Sequence, residues 1–263
     1  MIITGASSGI GLASAKLFAS LGARLSLAAR SIGKLEEIAR ELGTEDVLCV
    51  KADVSREEDC ANLINLTVRK YGRIDILVNN AGLSMRAMFR DLDLSVIKTL
   101  MDVNFWGTVY CTKYALPYLL DSKGSVVGVI SIAGYAGLPG RTGYSSSKFA
   151  IRGFLDTLRI EHLYDGLHVM VFAPGFTASN VRNAALTADG SQQGRTPRDE
   201  GKMMTAERVA LYLAKGLAKR KSEMILTPIG KLTVWMNKRF PRLTDRLEFG
   251  YMAKEPDSPF KRK

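Results

Sequence analysis

Residues 4–11 read Thr4-Gly5-Ala6-Ser7-Ser8-Gly9-Ile10-Gly11, and the fold turns on them. Apolar Ile2 and Ile3 stand before the stretch, and a helical run begins near Ile10. Glycines allow a tight turn and let backbone N–H groups approach a pyrophosphate, while the N-terminus of the following helix adds partial positive charge. The Gly-x-x-x-Gly-x-Gly spacing departs from the common Gly-x-Gly-x-x-Gly form, so its weight comes from its place between a strand and a helix. A central strand ordinarily has about five or six residues, and only Met1, Ile2 and Ile3 precede Thr4. The natural chain is therefore expected to begin a few residues upstream. No apolar targeting segment is visible before the turn, and no run of about 18 apolar residues predicts a membrane-spanning helix.

Downstream, strand-like and helix-like segments alternate. Strands are predicted at Arg24–Ala28, Val47–Lys51, Asp75–Asn79, Ser125–Ser131, Leu167–Phe172 and Met224–Leu226. Helices are predicted at Lys34–Leu42 (Ser31 as cap, Gly43 as stop), from Ser55 toward Tyr71 with Glu58 completing a capping box, and at Val103–Leu120, Tyr144–Tyr164 and Thr205–Lys219. Continuous apolar strands alternating with helices mean a parallel sheet covered on both faces. One α/β domain over residues 1–229 is expected, followed by a basic C-terminal helical extension over 230–263. Residues 178–204, rich in Gly, Asn, Asp, Ser and Gln, are too long for an ordinary connection and read as the substrate loop or as local disorder.

Bulk properties narrow the function. Hydrophobic residues make up 46% and charged residues 24%, an ordinary globular balance. Cys49, Cys60 and Cys111 are scattered and match no disulfide framework or zinc spacing, so no metal is expected and a reducing, cytoplasmic setting is the default. The net charge of +11 is concentrated late in the chain, where residues 215–263 hold 13 Lys/Arg against 5 Asp/Glu, a net of +8. Such a tail is either a solvated surface or a contact for something anionic. No nucleic-acid partner is expected, and peripheral membrane contact stays open.

The chemistry-bearing residues lie later. Tyr144 and Lys148 are four apart in a predicted helix and share a face. An ammonium beside a phenol favours the phenolate and lowers the tyrosine from its reference of about 10, toward use as a general acid/base. Ser131, ending a strand just before, can offer its hydroxyl to a substrate carbonyl. Alone, the Tyr-x-x-x-Lys spacing is equally an ordinary surface pair.

Taken in order, residues 4–11, then Asn79-Asn80-Ala81-Gly82, Asn104, Ser131, Tyr144-Ser-Ser-Ser-Lys148 and Pro174-Gly175 resemble the short-chain dehydrogenase/reductase superfamily of single-domain type. The resemblance runs from Ile2 to about Leu226. It implies a Rossmann-like doubly wound parallel sheet of about seven strands with helices on both faces and ligands at the carboxyl ends of the strands. It implies Tyr144 as acid/base, Lys148 as its modulator and ribose contact, Ser131 as carbonyl-orienting group, and Asn104 as support for a proton relay. Gly5, Ser7, Ser8, Gly9, Ile10 and Gly11 would cradle the pyrophosphate. Asp53 and Val54 would lie near the adenine, and Asn79, Asn80, Ala81 and Gly82 would line the ribose side and brace the sheet. After Pro174 and Gly175 the family often reads x-Val-x-Thr. This chain carries Phe176-Thr177-Ala178-Ser179, with Thr177 at the Val position and Ser179 at the Thr position, so a hydroxyl is retained and either Thr177 or Ser179 is the carboxamide contact. The resemblance also implies a homodimer or homotetramer.

An acidic residue after the second strand selects NAD, and an arginine there accommodates the 2′-phosphate of NADP. This chain has Ala29 followed by Arg30, which predicts NADP(H) over NAD(H) and reduction as the direction. The expected function is a nicotinamide-dependent reduction of a ketone to a secondary alcohol, or the reverse, on a small-molecule, hydrophobic or lipid-like substrate. A non-catalytic nucleotide-binding regulator of the same fold is the alternative. In the tail, Leu232, Trp235, Met236 and Phe240 recur at helical spacing, Pro241 should break the helix, and Leu243 and Leu247 fit a second one. That stripe suits covering a cleft, packing on a subunit or lying in a membrane interface.

Overall fold

The structure is a computed structural model that describes residues 1–178, 181–196, 201 and 203–260. Seven parallel strands form one sheet: β1 (Ile2–Thr4), β2 (Leu25–Ala29), β3 (Val47–Lys51), β4 (Ile76–Asn79), β5 (Ser125–Val129), β6 (His168–Ala173) and β7 (Glu223–Ile225). Their order is β3-β2-β1-β4-β5-β6-β7. β1 pairs with β2 in the register Ile2↔Ser26 and with β4 in the register Ile2↔Leu77. The order reverses at that junction, and the crevice outside the strand ends there is where such sheets bind ligands. β1 has three residues, all buried.

Helices α1 (Gly9–Ser20), α2 (Ile32–Leu42) and α7 (Ala206–Ala218) cover one face. They bury Phe18, Leu35, Val209 and Leu213 with Leu25, Leu27 and Phe172 of the strands. The other face carries α3 (Glu57–Tyr71), α5 (Gly107–Asp121) and α6 (Thr142–Glu161), which bury Leu63, Cys111, Leu119, Ile151 and Leu155 with Leu77, Val126 and Val169. α2 and α3 end on Gly43 and Gly72, both left-handed, as C-terminal glycines do.

Several local expectations are corrected. Ser31 occupies the N-cap position of α2 without a capping hydrogen bond. The Ser55–Glu58 capping box does not form: α3 starts at Glu57, and Ser55 instead gives its N–H and hydroxyl to Asp53 Oδ1 (3.0 and 2.7 Å). The helix expected from Val103 starts nine residues earlier as α4 (Leu94–Leu100) and continues through a π-wound segment, Met101–Trp106, into α5. Inserting one residue into the helical ladder shifts the apolar period, which hid the join. β5 stops at Val129, and Ser131 instead heads a short 3₁₀ turn, Ile132–Gly134.

Beyond β7, α8 (Pro228–Arg239) and α9 (Pro241–Ala253) fold back over the carboxyl edge of the sheet. Thr227 caps α8 through the N–H of Gly230 at 3.0 Å. The Asn237 amide donates to Tyr135 O (3.0 Å), and Phe260 is buried against Gly140.

Candidate active site

The quoted turn is built by close approach. Gly5 has φ +65°, and a Cβ there would sit 2.8 Å from Ala81 Cα. A Cβ on Gly11 would run into the Gly5 carbonyl oxygen. Only glycine lets α1 start hard against the turn, with its first N–H groups aimed outward. Thr4, whose side chain the sequence reading passed over, ties this turn to the next strand. Its hydroxyl accepts from the N–H groups of Asn80 and Ala81 (3.0 Å each) and lies 3.4 Å from Val78 O, to which it donates. The Asn80 amide donates to Thr4 O and Gly5 O (2.9 and 3.3 Å). Asn79 is buried in β4, where its amide donates to Thr112 Oγ1 at 3.0 Å; it braces α5 from within the sheet.

The second cluster lies across the same edge. Asn104, fully buried in the π-wound segment, accepts from Leu83 N (2.8 Å) and donates to Leu83 O (3.0 Å) and Ser147 Oγ (2.8 Å). The Ser147 hydroxyl in turn donates to Tyr144 O at 2.8 Å. The π-wound turn rotates Asn104 into this knot, a placement typical of such turns. Lys148 is buried, donates from Nζ to Val129 O at 2.9 Å, and sits 5.7 Å from the centre of the Tyr144 ring. A Cβ on Gly82 would lie 3.1 Å from Asn104 Oδ1 and 3.4 Å from Lys148 Nζ, so the Gly82 backbone forms one wall beside both.

The electrostatics differ from the expectation drawn from spacing. Burial raises Tyr144 above its usual value, while the neighbouring Ser131 hydroxyl and the Arg141 charge pull the other way. Burial also lowers Lys148, to about 8. Ser131 Oγ also accepts from Ala133 N at 3.2 Å, which fixes its rotamer. Tyr144 packs at the edge of an apolar cluster of Met85, Val96, Leu100 and Leu186.

The remaining expected residues surround this core. Arg30 is exposed at the carboxyl end of β2, beyond buried Ala29. Val54 is buried under α5 against Gly107. Pro174 and Gly175 follow β6, and the Gly175 carbonyl accepts from Thr177 Oγ1 at 3.1 Å. Arg182, missed in the sequence, is buried and donates to Thr177 O at 3.0 Å. Ser179 lies outside the described residues. A groove of about 610 Å³ also runs between α1 and α7 from Gly9 to Leu211, on the outer side of α1 and lined by neither Ser131 nor Tyr144. The glycine turn, the twelve-residue helix α1 behind it, the glycine wall at Gly82 and the exposed Arg30 fit an extended dinucleotide laid across the strand ends.

A family model described as short chain dehydrogenase matches residues 1–189. This chain belongs to the short-chain dehydrogenase/reductase family. It is 44% identical over 185 residues to an 11-beta-hydroxysteroid dehydrogenase 1A of Arabidopsis thaliana, covering 69% of this chain and 53% of that relative. The chain thus matches about half the length of such relatives. Dehydrogenase/reductase SDR family member 7B of Mus musculus is 33% identical over 98% of this chain and 82% of its own. An alcohol dehydrogenase from the archaeon Thermococcus sibiricus, solved with 5-hydroxy-NADP, superposes with a TM-score of 0.75 at 27% identity, covering 86% of this chain and 94% of that one. A Burkholderia phymatum member solved with NAD shares the fold at TM-score 0.82, with 22% identity and coverage of 92% and 93%.

Proposed function

We propose that the chain is an NADP(H)-dependent oxidoreductase that reduces an apolar, lipid-like ketone to a secondary alcohol. The observation that carries this is one constellation at the strand ends. The Tyr144 phenol is set beside Ser131, flanked by buried Lys148 and tied through its backbone and Ser147 to Asn104, near a glycine turn suited to a dinucleotide. The nicotinamide cofactor supplies the hydride. Tyr144, raised by burial, carries its proton at neutral pH and is loaded as an acid. It gives that proton to the carbonyl oxygen as the alcohol forms, while Ser131 holds the same oxygen in line. Lys148 and the Asn104 knot keep the helix and the tyrosine in register. Gly5, Ser7, Ser8, Gly9, Ile10 and Gly11 hold the phosphates, Asp53, Val54, Asn80, Ala81 and Gly82 the adenosine side, and Pro174, Gly175, Thr177 and Ser179 the carboxamide.

Arg30 supports NADP(H): among the described residues its side chain has no hydrogen bond or ion pair, and it is exposed just past the carboxyl end of β2, the position from which an arginine accommodates a 2′-phosphate in such folds. Exposed Trp106, Tyr114 and Phe149 on one outer face support a homodimer or homotetramer built there. The names of the hydroxysteroid dehydrogenase relatives and the apolar surroundings of Tyr144 support the substrate class. The test is initial-rate measurement with NADPH and NADH against ketones graded in chain length. A clear NADPH preference that rises with chain length supports the reading; NADH preference or absence of turnover overturns it.

A further inference from the structure

We propose that the outer face of α8 and α9 is a docking surface for an anionic membrane. The sequence reading left open which way the apolar stripe of the tail faces. α8 meets the body of the protein through Gly230, Val234 and Asn237. With about 100° per residue, Leu232, Trp235 and Met236 fall on the opposite side of that helix, and Leu232 and Trp235 are 52% and 55% exposed. The buried residues of α9 are Thr244 and Met252, which leaves Leu243 and Leu247 facing outward, 48% and 54% exposed. The Trp235 and Phe240 rings meet at 6.0 Å, which carries the α8 stripe up to the Pro241 bend where α9 begins.

Exposed large apolar residues elsewhere among the described residues are spread over many elements, whereas seven of the eighteen lie within residues 229–251. Such a concentration on two helices in contact with each other marks an interaction site rather than ordinary surface. Its rim names the occupant. Lys231 and Lys238, seven apart, flank the α8 stripe, and Arg242 and Arg246, four apart, flank the α9 stripe, all exposed. Asp245 is the one exposed carboxylate on the two helices. An apolar stripe with an interfacial tryptophan and a basic rim is the pattern of a helix lying in the headgroup layer. A second copy of the chain fits poorly, because a two-fold contact through this face would set the same cations against one another.

The surface also adjoins the cleft. Tyr251 of α9 lies 6.5 Å from Phe176, which follows the Pro174-Gly175 turn. An apolar ketone dissolved in the bilayer would therefore reach Tyr144 beside this cover, a consequence that rests on the reductase reading; the docking itself does not.

The test is flotation of the full chain with phosphatidylcholine vesicles and with vesicles containing roughly a third phosphatidylserine. Binding is expected to the anionic vesicles only, and to fall at least tenfold at high salt. Each basic residue at the surface adds about fivefold to partitioning, so K238E/R242E should lower binding by more than tenfold. L232S/W235S should also weaken it, and neither variant should change turnover of a water-soluble ketone without vesicles. For a ketone embedded in anionic vesicles, both variants should lose about tenfold in rate. Absence of flotation, or binding indifferent to lipid charge, overturns the proposal. So does a concentration-dependent dimer, seen by sedimentation, that the same substitutions dissolve. Flotation without any ketone turnover overturns the proposed function alone.

Discussion

Two buried polar clusters grip the start of α6, one from each side, and they are built on opposite principles. On the inner side Asn104 holds Leu83 and Ser147 through neutral hydrogen bonds, with both ends of its amide engaged. On the outer side Glu255 of the tail is buried between two guanidinium groups, 3.3 Å from Arg86 and 3.9 Å from Arg141. Arg86 also donates to Pro256 O at 2.7 Å, while its Nε is buried without an acceptor. The amide knot joins elements that the fold brings together anyway. The charged latch joins a late, peripheral segment to two loops and holds only while all three charges are present. Neutral, saturated networks suit a site whose geometry must not vary with conditions. A buried ion cluster is weaker ground for net stability but severe when broken.

The strongest challenge to that contrast is on the chemistry proposed for the inner cluster. Tyr144→Phe removes only the phenolic oxygen, and kcat should fall by about 10²–10⁴ with cofactor affinity unchanged; a variant that keeps most of its kcat would deny Tyr144 the proton. Next comes the latch. Glu255→Ala leaves two buried guanidinium groups without their carboxylate, a cost of about 3–5 kcal/mol. The loss should appear as rapid amide exchange over α8 and α9 while β4, β5 and β6 stay protected. Global unfolding would instead make the tail part of the core.

Asn104→Ala should cost about 1–3 kcal/mol by stranding Leu83 and Ser147, lowering Tm by a few degrees, and should lower kcat as well by loosening Tyr144. Loss of stability without loss of kcat would make the knot structural only. Arg30→Ala should reduce the NADPH over NADH ratio in kcat/KM by about tenfold, the worth of one charge-assisted contact. The smallest effect concerns pH. Burial, and secondarily Asp245, raise Glu248 to about 7 from an ordinary 4.5. A carboxyl raised in the folded state favours folding below its unfolded value, and that advantage disappears as pH climbs through the folded one. Amide protection of α9 should thus decline severalfold between about pH 5 and 8, and Glu248→Gln should level the decline.

The inner cluster was legible in the sequence, and the latch was not. Asn104, Ser131, Tyr144 and Lys148 were recognisable because motif order carried them, and the sheet because its strands are short apolar runs between turn residues. Even there the reading missed Thr4 and Ser147, whose roles come from hydroxyls that any turn or helix surface could carry. It also missed the start of α4, where the π-wound insertion breaks the period. Glu255, Arg86 and Arg141 are far apart in sequence and belong to no periodic pattern, so nothing local announces their meeting. The tail helices themselves were read correctly, but their facing was not determined, because the residues that seat α8 are a glycine, a valine and an asparagine rather than the conspicuous stripe.

The three-residue strand β1 has a consequence for how the chain is made. Its partner β2 follows within the first 29 residues, but its other neighbour supplies the pairing Ile2↔Leu77 and Ile3↔Val78. Until those residues leave the ribosome, a nascent chain holding β1, β2 and β3 exposes the future centre of the sheet as an open edge, the part of a sheet most prone to pair with another chain. The glycine turn is thus made before β4 and completed only when Asn80 and Ala81 arrive to engage the Thr4 hydroxyl.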